Sequence, residues 1–145
     1  MSTLHRAPLK IGIGGLGAIG LALARRLDEG IEGLLLTAVS ARDKDAARLR
    51  LSGFRQRVPV VTLSELAKDC DVVVECAPAA VFSQVAEPVV RLGKVLIPVS
   101  VGGLLANWYL VEMAKATGAR INVPSGAVLG LDAVRAAALG EITRV

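Results

Sequence analysis

Three glycines spaced as G-x-G-x-x-G near the N-terminus constrain this chain more than any other feature. They are Gly15, Gly17 and Gly20. A short apolar run over residues 10–13 precedes them and suits a buried strand. After them, apolar side chains stand at Ile19, Leu23 and Leu27, the spacing of one helix face. The sequence therefore predicts a strand, a tight glycine turn and a helix as its first unit.

This unit is typical of a site for the pyrophosphate of a dinucleotide. Gly15 would permit the tight turn, Gly17 would let backbone N–H groups approach the phosphates, and Gly20 would let the helix pack closely on the strand. Free N–H groups and the positive end of the helix dipole attract the anion. A glycine turn that binds nothing is the alternative, and the flanking strand and helix argue against it. We expect cofactor contacts from the whole loop: Gly15, Leu16, Gly17, Ala18, Ile19 and Gly20.

Composition narrows the function classes. The 145 residues have room for one domain with a proper core, and a net charge of +4 with 3% aromatic residues offers no basic stacking surface, so we expect no nucleic-acid partner. Two cysteines, Cys70 and Cys76, and one histidine, His5, build neither a zinc site nor a disulfide framework. No apolar run approaches the ~20 residues of a membrane span. These features predict a reduced, cytoplasmic protein with no membrane partner and no metal.

The rest of the chain alternates apolar segments with helical ones. After the first strand, further strands are expected over residues 34–39, 58–63, 71–78, 94–100 and 119–124. Among the helices between them, we expect Ser64 to cap a short helix over 65–69, Pro88 to kink or split the helix that follows Pro78, and one continuous helix over 105–117. A last helix is expected over residues 131–139. Six strands alternating with helices predict an α/β fold with a doubly wound parallel sheet in three α/β/α layers, the Rossmann architecture.

The end of the second strand should meet the adenosine end of a dinucleotide. Domains specific for NAD place an acidic residue about 20 residues beyond the glycines, whereas NADP sites supply an arginine for the 2′-phosphate. Here Ser40 occupies that position and Arg42 follows, which favours NADP. Asp43 stands next to them, so use of NAD stays open. We interpret the next basic residues as a solvated helix face more than as contacts: Lys44, Arg48 and Arg50.

Small residues end the predicted strands at the edge where such sheets bind ligands. None of the turns there carries a histidine or lysine for acid-base chemistry, and we place Glu75 in a strand interior before the edge. We therefore predict no catalytic residue in this chain. Residues 141–145 have the pattern of a new strand. The expected organisation is a dinucleotide-binding domain over 1–140 and, from 141, the start of a missing C-terminal substrate and catalytic domain.

Four segments together resemble the N-terminal half of the L-aspartate dehydrogenases. They are the glycine loop, Glu-Cys-Ala-Pro at 75–78, Ser-Val-Gly-Gly at 100–103 and Val-Pro-Ser-Gly-Ala-Val-Leu-Gly-Leu-Asp at 123–132. That family oxidatively deaminates L-aspartate to iminosuccinate with NAD or NADP and can feed NAD biosynthesis. The resemblance implies phosphate contacts from the loop and adenosine contacts from Ser40 and Arg42. It also implies ribose or nicotinamide contacts from four residues: Ala77, Pro78, Ser100 and Ala127.

The same resemblance places the family's catalytic histidine in a C-terminal domain, which also builds much of the substrate site and the dimer interface. No catalytic residue is carried over to this chain. Three functions follow: the NADP-binding half of an aspartate dehydrogenase, inactive by itself; the equivalent half of a homoserine dehydrogenase-like reductase; or a free-standing nucleotide-binding module. The amino-acid substrate and a homodimer belong only to a full-length protein. A coding sequence that continues past Val145 would favour the first two functions.

Overall fold

One parallel sheet of six strands organises the chain. The computed structural model describes residues 7–124. The strands are β1 (Leu9–Gly14), β2 (Leu34–Ser40), β3 (Val60–Val61), β4 (Val72–Glu75), β5 (Val95–Pro98) and β6 (Arg120–Ile121). Their order is β3-β2-β1-β4-β5-β6, so the chain winds outward to β3 and then returns to β4 beside β1. The doubly wound parallel sheet predicted from the sequence is confirmed, and its order reverses between β1 and β4.

Helices cover both faces of this sheet. They are α1 (Ala18–Glu29), α2 (Lys44–Leu51), α3 (Leu63–Leu66), α4 (Phe82–Arg91), α5 (Val101–Ala106) and α6 (Tyr109–Thr117). Buried side chains form two clusters, one under α1 and α2 and the other under α3, α4 and α6. Successive residues of β4 alternate between them, with Val72 and Val74 in the first cluster and Val73 in the second. The three α/β/α layers follow from that alternation, because neighbouring residues of a strand point to opposite faces.

The helix expected over 105–117 is instead two helices. α5 begins at Val101, directly after β5, and ends at Ala106, while α6 begins at Tyr109. Asn107 breaks the run with φ −122° and ψ 46°, and its side-chain Nδ2 donates to the carbonyl of Gly103 at 2.8 Å. The asparagine amide thus competes with the backbone for a helical carbonyl. The periodicity of the apolar residues did not reveal this break.

The buried face of α1 also differs from the expected one. Leu27 is buried as predicted, but Ile19 is 59% exposed, and Gly20 and Ala24 complete the face against the sheet. Because Gly20 must face the strand for the close approach described below, its neighbour Ile19 is turned outward. The expected apolar stripe was therefore rotated by one residue at the start of the helix.

The N-cap expected for α3 was wrong, and of the kink or split expected at Pro88 the split does not occur. Thr62, not Ser64, caps α3: its Oγ1 accepts from the N–H of Glu65 at 3.3 Å, and Glu65 Oε2 accepts from the N–H of Thr62 at 3.0 Å. This reciprocal capping box outcompetes a cap two residues later. Pro88 does not split α4, which runs through it after a short 3-10 turn at Ala79–Val81. Buried side chains on either side hold that helix against the sheet: Val85, Ala86, Val89 and Val90.

Candidate functional site

A cavity of about 920 Å³ lies along the carboxyl edge of β1, β2 and β4. Its walls come from the glycine loop at 15–17, from the turn after β2 with the start of α2, and from the turn after β4. It crosses the point between β1 and β4 at which the strand order reverses. Ligands of doubly wound sheets bind at such a point, because the turns on its two sides diverge and leave a crevice.

A second cavity, of about 660 Å³, lies between α2 and the segment that leads into β3. Its lining comes from α2 and from the connection to β3: Arg48, Leu51, Ser52, Phe54, Gln56, Arg57, Val58, Pro59 and Val60. No residue of the glycine loop or of the turns after β2 and β4 lines this second cavity. The first cavity is therefore the candidate site.

The glycine loop has the geometry that its spacing predicts. Gly15 adopts φ +107°, and a Cβ there would stand 2.6 Å from the carbonyl oxygen of Cys76. Its N–H donates to the carbonyl of Ser40 at 2.9 Å, so the turn is tied to β2. A Cβ at Gly20 would overlap the carbonyl oxygen of Gly15. At Gly17, by contrast, nothing lies within 4 Å of an added Cβ, and this residue lines the cavity at the start of α1.

The other loop residues divide into two groups. Leu16 lines the cavity while its side chain is buried among the residues beneath α1 and α2. Ala18 and Ile19 are exposed at the start of α1 and do not line the cavity, and neither does the buried Gly20. Cofactor contacts from these three residues stay a prediction.

The turn after β2 brings both expected adenosine-end residues to the cavity. Ser40 lines it although the residue is only 2% exposed, whereas Arg42 is exposed. Asp43 lines it too, but its Oδ1 accepts from the N–H of Ala46 at 2.9 Å and caps α2. One oxygen of the only acidic residue on this turn is thus committed to the helix.

Two cations that we assigned from the sequence to a solvated helix face also line the cavity. They are Lys44 and Arg50, and Arg50 Nη1 donates to the carbonyl of Leu16 at 3.0 Å. Arg48 instead forms an ion pair with Asp45 at 2.7 Å, on the solvent side of α2. The missed signal is helical spacing: residues 44, 47 and 50 share one face of α2, and Ala47 of that face is buried.

The turn after β4 forms the opposite wall. Ala77 and Pro78 line the cavity as expected, and Cys76 lies beside them with a half-buried thiol. Burial, and to a lesser extent the charge of Glu75, raises the pKa of the Cys76 thiol to about 11, so it is neutral at neutral pH. This side chain is a packing residue of the wall and not a nucleophile.

Ser100 stands behind this wall instead of lining the cavity. Its hydroxyl lies 3.1 Å from both the carbonyl oxygen of Ala77 and Oε1 of Glu75. Glu75, which we expected inside a strand before the edge, is the last residue of β4 and is fully buried. The predicted contact from Ala127, the turn at 125–127, the helix at 131–139 and the expected domain boundary at 140 lie outside the described residues.

Within 7–124, no group of three or more His, Cys, Asp and Glu side chains is placed to hold a metal ion. In the same part of the chain, no helix has the length and apolarity needed to cross a membrane.

Known proteins match nearly the whole chain. A family model described as the homoserine dehydrogenase NAD-binding domain matches residues 15–124. The L-aspartate dehydrogenase of Bradyrhizobium diazoefficiens is 47% identical over 137 residues, which are 94% of this chain and 49% of that protein. L-aspartate dehydrogenase 3 of Bordetella bronchiseptica is 48% identical over 141 residues, 97% of this chain and 52% of that protein. The chain thus spans about half the length of these curated relatives.

Solved structures agree on the fold. The scyllo-inositol dehydrogenase of Lactobacillus casei with bound NAD(H) and scyllo-inositol superimposes with a TM-score of 0.66 at 16% identity, covering 94% of this chain and 43% of that one. Together with the family match over residues 15–124, the switch-point cavity and its glycine loop identify a site for a nicotinamide dinucleotide. The chain belongs to the family of homoserine dehydrogenase NAD-binding domains.

Proposed function

We propose that this chain is the cofactor-binding half of an L-aspartate dehydrogenase, which oxidatively deaminates L-aspartate to iminosuccinate. The observation that carries the proposal is the single cavity from Arg42 past the glycine loop to Pro78, in a chain 47–48% identical to L-aspartate dehydrogenases. When bound, the nicotinamide accepts the hydride. We assign the groups that bind substrate and move its proton to a further domain, so residues 1–145 should bind cofactor without turning over substrate.

The start of α1 is suited to hold the pyrophosphate. Gly17 occupies the N-cap position without a side chain that could satisfy the first-turn N–H groups, and that turn contains no acidic residue. These N–H groups and the positive end of the twelve-residue helix are therefore available to an anion. The absence of atoms around a Cβ at Gly17 leaves room for phosphate oxygens to approach the backbone.

We further propose that the site prefers NADP over NAD. Arg42 and Lys44 line the adenosine end of the cavity, while Asp43 uses one carboxylate oxygen to cap α2. Because Ser40 is almost completely buried, the exposed Arg42 and the partly buried Lys44 would make the main contacts with a 2′-phosphate. NAD lacks this phosphate, so it would gain less from them.

Calorimetric titration of the 145-residue chain with NADP and with NAD tests both statements. Arg42→Ala should weaken NADP binding by about 1–3 kcal/mol, the range for a charge-assisted hydrogen bond, and leave NAD nearly unchanged. Arg48→Ala is the matched control: it removes the same charge from α2 but breaks only the exposed ion pair with Asp45. Equal losses of both cofactors in Arg42→Ala would refute the 2′-phosphate role.

The reaction itself is tested on the longer protein that contains this chain. Formation of reduced nicotinamide from L-aspartate, with none from L-homoserine, would support the aspartate dehydrogenase. Turnover of L-homoserine would instead support the homoserine dehydrogenase-like reductase, which the description of the matching family favours. Cofactor binding with neither turnover would support a nucleotide-binding module. The same preparation would show by light scattering whether the full-length protein is the expected homodimer.

A cytoplasmic location is part of the same proposal. Cys70 and Cys76 are both free thiols. Reduced cysteines are the rule in the cytoplasm, where nicotinamide-dependent metabolism of amino acids also takes place. Location of a tagged full-length protein by cell fractionation tests it.

A further inference from the structure

Glu75 carries a fully buried carboxylate at the edge of the cofactor site. Among residues 7–124 it is the one acidic or basic side chain that is completely buried. A buried carboxylate is costly unless hydrogen bonds replace its hydration. The residue therefore needs a structural reason for its position at the last residue of β4.

The contacts of this carboxylate join two separate turns. Oε1 accepts from the backbone N–H of Ala77 at 2.9 Å, in the turn after β4. Oε2 accepts from the backbone N–H of Ser100 at 2.9 Å, in the turn after β5. The hydroxyl of Ser100 closes the arrangement, because it lies 3.1 Å from Oε1 and 3.1 Å from the carbonyl oxygen of Ala77 and donates its single proton to one of them. Hydrogen bonds to an ionised acceptor are the strong ones.

The turns joined in this way lie on one side of the cofactor site. Arg42 and Lys44 stand at the end of the cavity beside β2, and the glycine loop lies between them and the turn after β4. If the adenosine end of the cofactor lies against the cations, as in the proposed function, the nicotinamide half lies against Ala77 and Pro78. The proposal below rests on that orientation.

We propose that Glu75 is a positioning residue for the nicotinamide half of the cofactor: its two carboxylate oxygens hold the turn at 76–78 and the turn at 99–101 as one wall. Glu75 touches neither substrate nor cofactor. It acts through Ala77, which lines the cavity, and through Ser100, which supports Ala77 from behind.

The role requires a carboxylate and not merely a polar side chain of the same size. Each of two backbone N–H groups, at Ala77 and at Ser100, meets a different oxygen. A glutamine has one acceptor oxygen and one NH₂ group, so it would place a donor against one of these N–H groups. Glu75→Gln therefore keeps the volume of the side chain but releases one of the two turns.

Comparison of a whole dinucleotide with its adenosine half tests the proposal. The wild-type chain and Glu75→Gln are titrated with NADP and with adenosine 2′,5′-bisphosphate, which lacks the nicotinamide half. We expect the variant to bind NADP about 5- to 160-fold more weakly, the range for an unpaired buried hydrogen-bonding group, and the bisphosphate within about twofold of wild type. A general structural defect would weaken both ligands equally.

Two further variants complete the design. Glu87→Gln is the matched control, because Glu87 is a carboxylate on α4 outside the cavity that accepts from Arg91 and Tyr109, and this change should leave both affinities unaltered. Ser100→Ala removes only the bridging hydroxyl; should Glu75→Gln not fold, this variant must show the same selective loss for NADP at smaller size.

The outcomes separate the two proposals. Equal loss of both ligands, or no loss of either, in Glu75→Gln and Ser100→Ala would overturn the positioning role while leaving the proposed function intact. A folded wild-type chain that binds neither NADP nor NAD would overturn the proposed function, and the positioning role with it.

Discussion

Alanine substitutions at Gly15 and Gly17, two residues apart in the same loop, should have opposite consequences. At Gly15 an alanine must adopt φ +107°, and its Cβ would lie 2.6 Å from the carbonyl oxygen of Cys76 and 2.8 Å from the N–H nitrogen of Ala77. Both obstacles are backbone atoms, so no rotamer change relieves them. At Gly17, φ is −76° and no heavy atom lies within 4 Å of an added Cβ.

The expected magnitudes follow from this difference. For Gly15→Ala, a left-handed backbone costs roughly 1–2 kcal/mol and forced overpacking about 1–3 kcal/mol, together about 2–5 kcal/mol of the free energy of unfolding. In a domain of this size that lowers the melting temperature by roughly 8–20 °C. Gly17→Ala loses only a favourable N-cap residue, about 0.5–1 kcal/mol, because glycine is preferred to alanine there.

For cofactor affinity, Gly17→Ala is the more informative of the two variants. The methyl group of Gly17→Ala would stand where we propose that the backbone meets the pyrophosphate, so we expect at least a tenfold loss of affinity for both NADP and NAD in a domain that still melts near the wild-type temperature. Thermal unfolding without ligand, followed by calorimetric titration, measures both quantities. Unchanged cofactor affinity in Gly17→Ala, or wild-type stability in Gly15→Ala, would refute the reasoning from the glycine geometry.

Two other perturbations address the walls of the cavity. Arg50→Ala removes the hydrogen bond to the carbonyl of Leu16, so both NADP and NAD should bind more weakly by similar factors, unlike the selective loss in Arg42→Ala; a calorimetric loss confined to NADP would contradict this. Because burial raises the pKa of the Cys76 thiol to about 11 while an unfolded cysteine ionises near 8.5, the free energy of unfolding should fall as the pH rises from about 9 to about 11. Urea unfolding across that range measures the decline, and Cys76→Ser should make it smaller without abolishing it, because burial also raises the pKa of the Cys70 thiol; an equal decline in the variant would assign it to other groups.

Local patterns predicted the central strands well because these strands are apolar on both faces. In β4, Val72, Val73 and Val74 form an uninterrupted apolar run that only a strand buried between two helical layers accommodates. Where an element depends on a competition between caps, the sequence was a poorer guide. Thr62 and Ser64 are both good N-cap residues, and the reciprocal bond from Glu65 decides between them.

The site residues show the same contrast between features that a short stretch of sequence determines and features that depend on packing. The glycine loop could be assigned from sequence because its function depends on the absence of side chains, a property visible in the letters themselves. Arg50 was assigned to solvent because Asp43 and Asp45 are interleaved with the basic residues of its segment, a pattern typical of a solvated helix face. Only the packing of α2 on the sheet shows that Arg50 reaches back across 34 positions of chain to the carbonyl of Leu16.

The sequence by itself determined the fold class, the alternation of strands and helices along the chain except at the break between α5 and α6, and the location of the glycine loop, because periodicity and glycine spacing act over short stretches of chain. The tertiary structure decided which side chains meet at the edge of the sheet. In the sequence Glu75 is indistinguishable from an ordinary strand residue, and its proposed role depends on Ser100, 25 positions away in the turn after the neighbouring strand β5. Parallel pairing of β4 with β5 brings the two together, and a long-range pairing of this kind leaves no local trace in the sequence.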